Sequence, residues 1–196
     1  MTTRMKRTVL PVLIMALGLG PAGFAATPFE EESFSIVLPD GFGEFAKNEQ
    51  KEAKVTTFVS KGQNGDVVIV SYALMAPTED LDEFLASERD SLLKSLNARL
   101  DSQREIEVDG KQALSIRYSL QGAREMFGRT DLVIANPRMY QVIYLGGTPD
   151  GPNDAKTEQM FSSFNVDEEV LAKIEQDALD ANGSDAKVAR KSENDQ

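Results

Sequence analysis

Residues 138–164 read RMYQVIYLGGTPDGPNDAKTEQMFSSF, and this stretch decides the fold. Alternate side chains of an extended chain face opposite ways. Tyr140, Val142 and Tyr144 therefore share one face, while Met139, Ile143 and Leu145 populate the other. A strand that is apolar on both faces belongs inside a sheet whose two sides are both covered. The glycines and prolines between Gly146 and Pro152 then break the strand into a turn. Asp154 to Phe164 reads as a short closing helix, with Asn153 or Asp154 able to cap its start and Met160, Phe161 and Phe164 at one-turn spacing.

Working outward, Asn136-Pro137 is the turn into that strand from a preceding run, Arg124 to Ala135, where Met126, Gly128, Thr130, Leu132 and Ile134 alternate with Phe127, Arg129, Asp131 and Val133. Before it, Asp109-Gly110 joins Ser102–Val108 to Lys111–Leu120, and Asp-Gly between strand-like runs is a strong hairpin signal. In the second arm Leu114, Ile116, Tyr118 and Leu120 point one way, and Ala113, Ser115, Arg117 and Ser119 the other, so one face is expected in the core and one wetter. A long amphipathic helix is predicted from near Thr78 to Leu81 onward. Leu81, Phe84, Leu85, Leu92, Leu93, Leu96 and Leu100 recur at three- and four-residue steps. Each such side chain contributes about 1.5–3 kcal/mol on burial. Nearer the N-terminus, Ser33–Leu38, Lys54–Ser60 and Asp66–Met75 read as strands. The last contains VVIVSYALM, whose start lacks polar alternation and suits a central position.

The two ends differ from this middle. Arg4, Lys6 and Arg7 precede an apolar run from Val9 to Leu19 and then small residues up to Ala25, the three-part form of a secretory signal. Cleavage is expected after Ala25, with no stable membrane anchor left behind, because the run is shorter than the ~20 apolar residues a spanning helix needs. From Asp167 the composition turns polar: Val170, Leu171 and Ile174 can continue a helical face, but beyond Asn182 only Val188 is strongly apolar, and disorder is expected there. The expected organisation is a signal peptide over residues 1–25, an α+β domain over 26–166, and a helical, then disordered, acidic polar tail over 167–196.

Charge and composition narrow the chemistry. The chain holds 21 Lys+Arg against 32 Asp+Glu; loss of the leader takes the bases to 18, near −14 net. Such a surface repels nucleic-acid phosphates and anionic lipid, so no nucleic-acid partner is expected. There is no cysteine and no histidine, which removes disulfides, thiolate nucleophiles, and the commonest general base and metal ligand. Asp150-Gly151-Pro152-Asn153-Asp154 lacks the ligand spacing and closing Glu of a calcium loop. Ser71, Ser115, Ser162 and Ser163 stand in no Gly-x-Ser-x-Gly elbow. No cofactor, metal site or enzymatic activity is expected. The one constellation that suggests binding is Arg117, Arg124, Arg129 and Arg138 on neighbouring strands, with Tyr118 and Tyr140 nearby. If Arg117 and Arg129 share the wetter face, they can hold a carboxylate or phosphate, and Arg138 and Tyr140 extend that face. The simpler reading pairs these arginines with Asp131, Glu125 or Glu107.

Three strands, a long helix, a run of antiparallel strands and a short closing helix form the complete order. With the opening Phe34-Ser35-Ile36-Val37-Leu38-Pro39-Asp40-Gly41-Phe42, the strand Arg138-Met139-Tyr140-Gln141-Val142 and the ending Phe161-Ser162-Ser163-Phe164, the chain resembles small secreted bacterial relatives of PsbP over roughly Phe34 to Val166. PsbP is the extrinsic photosystem II protein, and its fold is shared with a nuclear Ran-binding import factor. The resemblance rests on core and turn residues, and no functional residue carries over from it. It implies an antiparallel sheet covered by helices on both faces, an α/β/α sandwich, and a non-catalytic accessory or protein-binding role. The expected setting is periplasmic or secreted, with an envelope or extracellular protein as partner. Two alternatives stand beside it: a small-ligand carrier with a pocket between the long helix and the sheet, and an envelope structural factor acting through its tail.

Overall fold

The computed structural model describes residues 27–174 and 176, apart from 52, 53, 76, 77, 79 and 123. The expected leader with its cleavage after Ala25, and the tail beyond Asn182, lie outside the described residues. In chain order the elements are β1 (Thr27–Glu31), β2 (Phe34–Leu38), β3 (Ala46–Gln50), β4 (Val55–Lys61), β5 (Val67–Leu74), α1 (Leu81–Leu96), β6 (Ala98–Val108), β7 (Lys111–Leu120), β8 (Met126–Ala135), β9 (Arg138–Gly146), α2 (Ala155–Ser162) and β10 (Asn165–Val166). A 3-10 turn at Gly151–Asn153 precedes α2, and residues 168–174 are helical.

The strand quoted at the outset is the middle of the molecule. In the main sheet, ordered β3-β4-β5-β9-β8-β7-β6, β9 is the fourth of seven strands and pairs antiparallel with β5 and β8. Its two apolar faces feed two separate cores. Ile143 and Leu145 join Ile69, Ile116 and Leu132 beneath Leu85 and Leu92 of α1. Tyr140, Val142 and Tyr144 join Phe58, Val68 and Val70 against Phe34, Ile36, Met160, Phe161 and Phe164. The expectation of two covered faces therefore holds for an α+β fold with antiparallel sheets.

What covers the second face differs from the helix-only sandwich expected. A second sheet, β1-β2-β10, lies there together with α2. The reason is one of size. An eight-residue helix is only about 12 Å long, whereas seven strands at ~4.8 Å spacing span about 29 Å. Strand β2, buried at Phe34, Ile36 and Leu38, supplies the rest, and Leu171 from the 168–174 turn adds to it.

Local signals explain the boundaries. Asp80 caps α1 by accepting from the Glu83 N–H at 2.9 Å, and Asp154 caps α2 by accepting from the Thr157 N–H at 2.8 Å. Asp109 and Gly110 both take positive φ, 51° and 71°, as a tight two-residue hairpin requires. The helix ends earlier than its apolar spacing suggested. Asn97, at φ 50°, closes α1 with its N–H toward the Leu93 and Lys94 carbonyls. Leu100 consequently lies in β6, 39% exposed, and contributes nothing to the helix face.

Candidate binding site

The register places Arg117 of β7 directly opposite Arg129 of β8, so the two arginines do share a face. That face is covered, not wet. Ser115, Ser119, Arg129 and Asp131 are all buried there, and Arg129 lies under Glu158 and Phe161 of α2. Arg129 donates through Nε to Asp131 Oδ1 at 3.0 Å and through Nη2 to Oδ2 at 2.9 Å. Its Nη1 lies 2.8 Å from Glu158 Oε2 in an ion pair. Phe161 closes the top, its ring centroid 4.0 Å from the guanidinium carbon. Burial works against the charge of Arg129, but the carboxylates of Asp131 and Glu158 more than offset it, so its pKa is raised. Arg117 meets Glu158 Oε1 through Nη2 at 3.4 Å. Of the two acids that pair with Arg129, Asp131 is one the simpler reading named, though from two residues along the same strand rather than across a ladder, and Glu158 of α2 is one it did not name. Both arginines hold α2 against the sheet.

Tyr140 is likewise internal. It is fully buried, donates its hydroxyl proton to the Ser33 carbonyl at 3.2 Å, and packs 5.7 Å from the Tyr72 ring and 5.6 Å from that of Phe164. Burial raises its pKa, opposed in part by the contacts to Ser33 and Arg138.

Arg138 alone of the four named residues reaches an open cleft. Its Nη1 donates to Ser33 Oγ, and its guanidinium carbon stands 4.2 Å over the Tyr72 ring. The cleft beside it holds about 220 Å³ and is lined further by Lys51, Lys54, Val55, Thr56 and Leu74. It exists because β4, β5 and β9 bring Thr56 opposite Tyr72, and Leu74 opposite Arg138, at the sheet's end. Lys51 and Lys54 have no acidic partner among the described residues, and Glu49, also lining the cleft, is held by Lys47 at 3.2 Å. Sequence reading found Arg138 but not Lys51, Lys54 or Leu74. They come from stretches far apart in the chain that only the sheet pairing joins, and a lysine in a turn carries no signal of its own.

Other places offer less. A second cavity of about 110 Å³ lies between the end of β2 and α2, near Asp40, Lys156 and Met160. Beneath α1 the space is filled by Leu85 and Leu92, while Tyr140 faces the opposite core. Among the described residues no group of three or more acidic side chains is placed to hold a metal ion, and no helix is long and apolar enough to cross a membrane.

This arrangement, an antiparallel sheet with a long helix on one side and a short helix on the other, is similar to the fold of a solved PsbP structure. The solution structure of cyanobacterial PsbP (CyanoP) from Synechocystis sp. PCC 6803 matches with a TM-score of 0.55, covering 76% of this chain and 98% of that one at 14% identity. The crystal structure of LpqN, involved in cell envelope biogenesis of Mycobacterium tuberculosis, matches with a TM-score of 0.50 over 75% of this chain and 89% of that one, at 12% identity. At these identities the likeness is one of fold. No protein-family model matches the chain, and no curated protein matches it in sequence.

Proposed function

We propose that this chain is an exported, non-catalytic accessory domain that acts by binding another protein of the cell envelope or exterior. The observation that carries this reading is how its polar groups are used. Arg117, Arg129, Asp131 and Glu158 are engaged in holding α2 to the sheet, whereas three other cations, Lys51, Lys54 and Arg138, line one open cleft. That cleft pairs charge with an aromatic and aliphatic floor and presents no nucleophile beside a base, an arrangement suited to recognition rather than turnover. The fold it shares with CyanoP and with LpqN, the latter named for cell envelope biogenesis, agrees with that setting. The carrier alternative needs space under α1 that Leu85 and Leu92 occupy.

In-cell crosslinking of the tagged chain tests the proposal directly. A reproducible envelope or extracellular protein recovered with it is the expected result. Recovery of the chain alone, or substrate turnover by the purified protein that a fold-preserving substitution abolishes, overturns the reading.

A further inference from the structure

The cleft at Arg138 also indicates what kind of segment it takes, an inference that rests on the binding function just proposed. Three cations line it, Lys51, Lys54 and Arg138, on a chain whose net charge is −11. Its one lining acid among the described residues, Glu49, is already engaged by Lys47, which also meets Glu31 at 3.0 Å. Arg138 is held in place between Ser33 Oγ and the Tyr72 ring, so little side-chain freedom remains to be lost when it meets a ligand. Beside it stands Leu74, 47% exposed, one of two exposed large apolar side chains among the described residues. At about 220 Å³ the open cleft has room for one side chain of a passing segment and not for a large cofactor.

We propose that the cleft binds an extended acidic segment of a partner protein, with a carboxylate against Arg138 and Lys54 and a neighbouring large apolar side chain over Leu74 and Tyr72. Both halves are needed. Exposed ion pairs contribute little on their own, and a lone leucine is too small a patch to select a partner. The acidic remainder of the surface repels the same segment elsewhere, which confines it to this place.

The test uses the purified full chain and fluorescein-labelled, end-capped peptides of alternating Asp and Leu, read by fluorescence anisotropy. The Asp-Leu peptide is expected to bind, and versions with Asn for Asp, or Ser for Leu, to bind about tenfold more weakly or worse. Lys51→Gln and Lys54→Gln sit on an exposed turn whose loss of charge leaves the fold intact, as circular dichroism will check. Each is expected to weaken binding about threefold, with Lys94→Gln on α1 unchanged. Raising salt from ~0.1 M to ~1 M shrinks the screening length from ~10 to ~3 Å and is expected to weaken binding further. Equal binding of the Asn-Leu peptide, indifference to both lysines, or no binding by any peptide overturns the proposal. Crosslinking separates its failure from that of the broader reading. A partner captured equally by the native chain and Lys54→Gln leaves the binding function standing and removes this site, whereas no partner at all removes the function.

Discussion

Arg129 and Asp131 are 4% and 3% exposed, so each would be a costly buried charge without the other. Arg129→Ala strands the Asp131 carboxylate in the core and is expected to cost about 3–5 kcal/mol in urea unfolding. Arg129→Met with Asp131→Leu removes both charges and is expected to fall between neutral and a gain of about 1–4 kcal/mol, since Glu158, 40% exposed, can turn to water. A double variant as damaged as the single one would show that the pair stabilises the fold beyond cancelling its own desolvation. The buried tyrosines give a pH signature. Burial raises the pKa of Tyr118 and Tyr140, and burial together with the nearby Asp66 carboxylate raises that of Tyr144. A raised folded-state pKa means the unfolded chain loses its proton first. The stabilisation is therefore complete below the ordinary tyrosine value of about 10 and is lost as pH climbs above it. Urea midpoints are expected to hold steady to about pH 9 and then fall, less steeply in Tyr118→Phe. A Cβ on Gly128 would stand 2.5 Å from Tyr118 Cε2 and 2.9 Å from Leu145 Cδ2, which is why β8 carries none there.

At the scale of elements, what was legible depended on how much apolar surface each one buries. β5, β7, β8, β9 and the body of α1 announce themselves because alternation or three-four spacing of large side chains is the direct imprint of two cores. β1, β3 and the first half of β6, reading TPFEE, AKNEQ and ARLDS, are edge or near-edge strands that bury almost nothing and so leave no apolar rhythm to read. The overlong helix came from the same limitation. Leu100 kept the spacing, but the left-handed backbone at Asn97 had already turned the chain. The site was legible in part: Arg117 and Arg129 were read as neighbours, yet their burial depends on α2 swinging back over the sheet, and no local pattern encodes that. Helix α2 is short enough that its cap matters. Asp154→Ala removes the acceptor for the Thr157 N–H and is expected to lower stability by about 0.5–2 kcal/mol in thermal unfolding. An unchanged midpoint would mean that Phe161 and Glu158 alone keep α2 in place.

For the whole molecule, the decisive pairing is the least local one. β5 meets β9 from Val67 opposite Leu145 to Leu74 opposite Arg138, with α1 and the β6–β8 meander between them in sequence. Until that ladder closes, neither core is complete. Sheets joined through distant strands fold slowly, so refolding followed by tyrosine fluorescence is expected to take milliseconds to seconds rather than microseconds. A microsecond phase carrying the full amplitude would contradict a transition state that needs the β5–β9 closure. Strand β6 bears on a different property, how the molecule keeps apart from its own copies. It is eleven residues long, lies at the rim of the sheet, and is exposed from Arg99 to Glu105, where an oily sequence would offer every passing chain a template to zip onto. Arg99, Asp101, Arg104 and Glu105 line that stretch instead, and β3 guards the opposite rim with Lys47 and Glu49. Charge at these two borders thus acts as insulation, disfavouring the edge-to-edge pairing of copies that so much antiparallel sheet would otherwise invite.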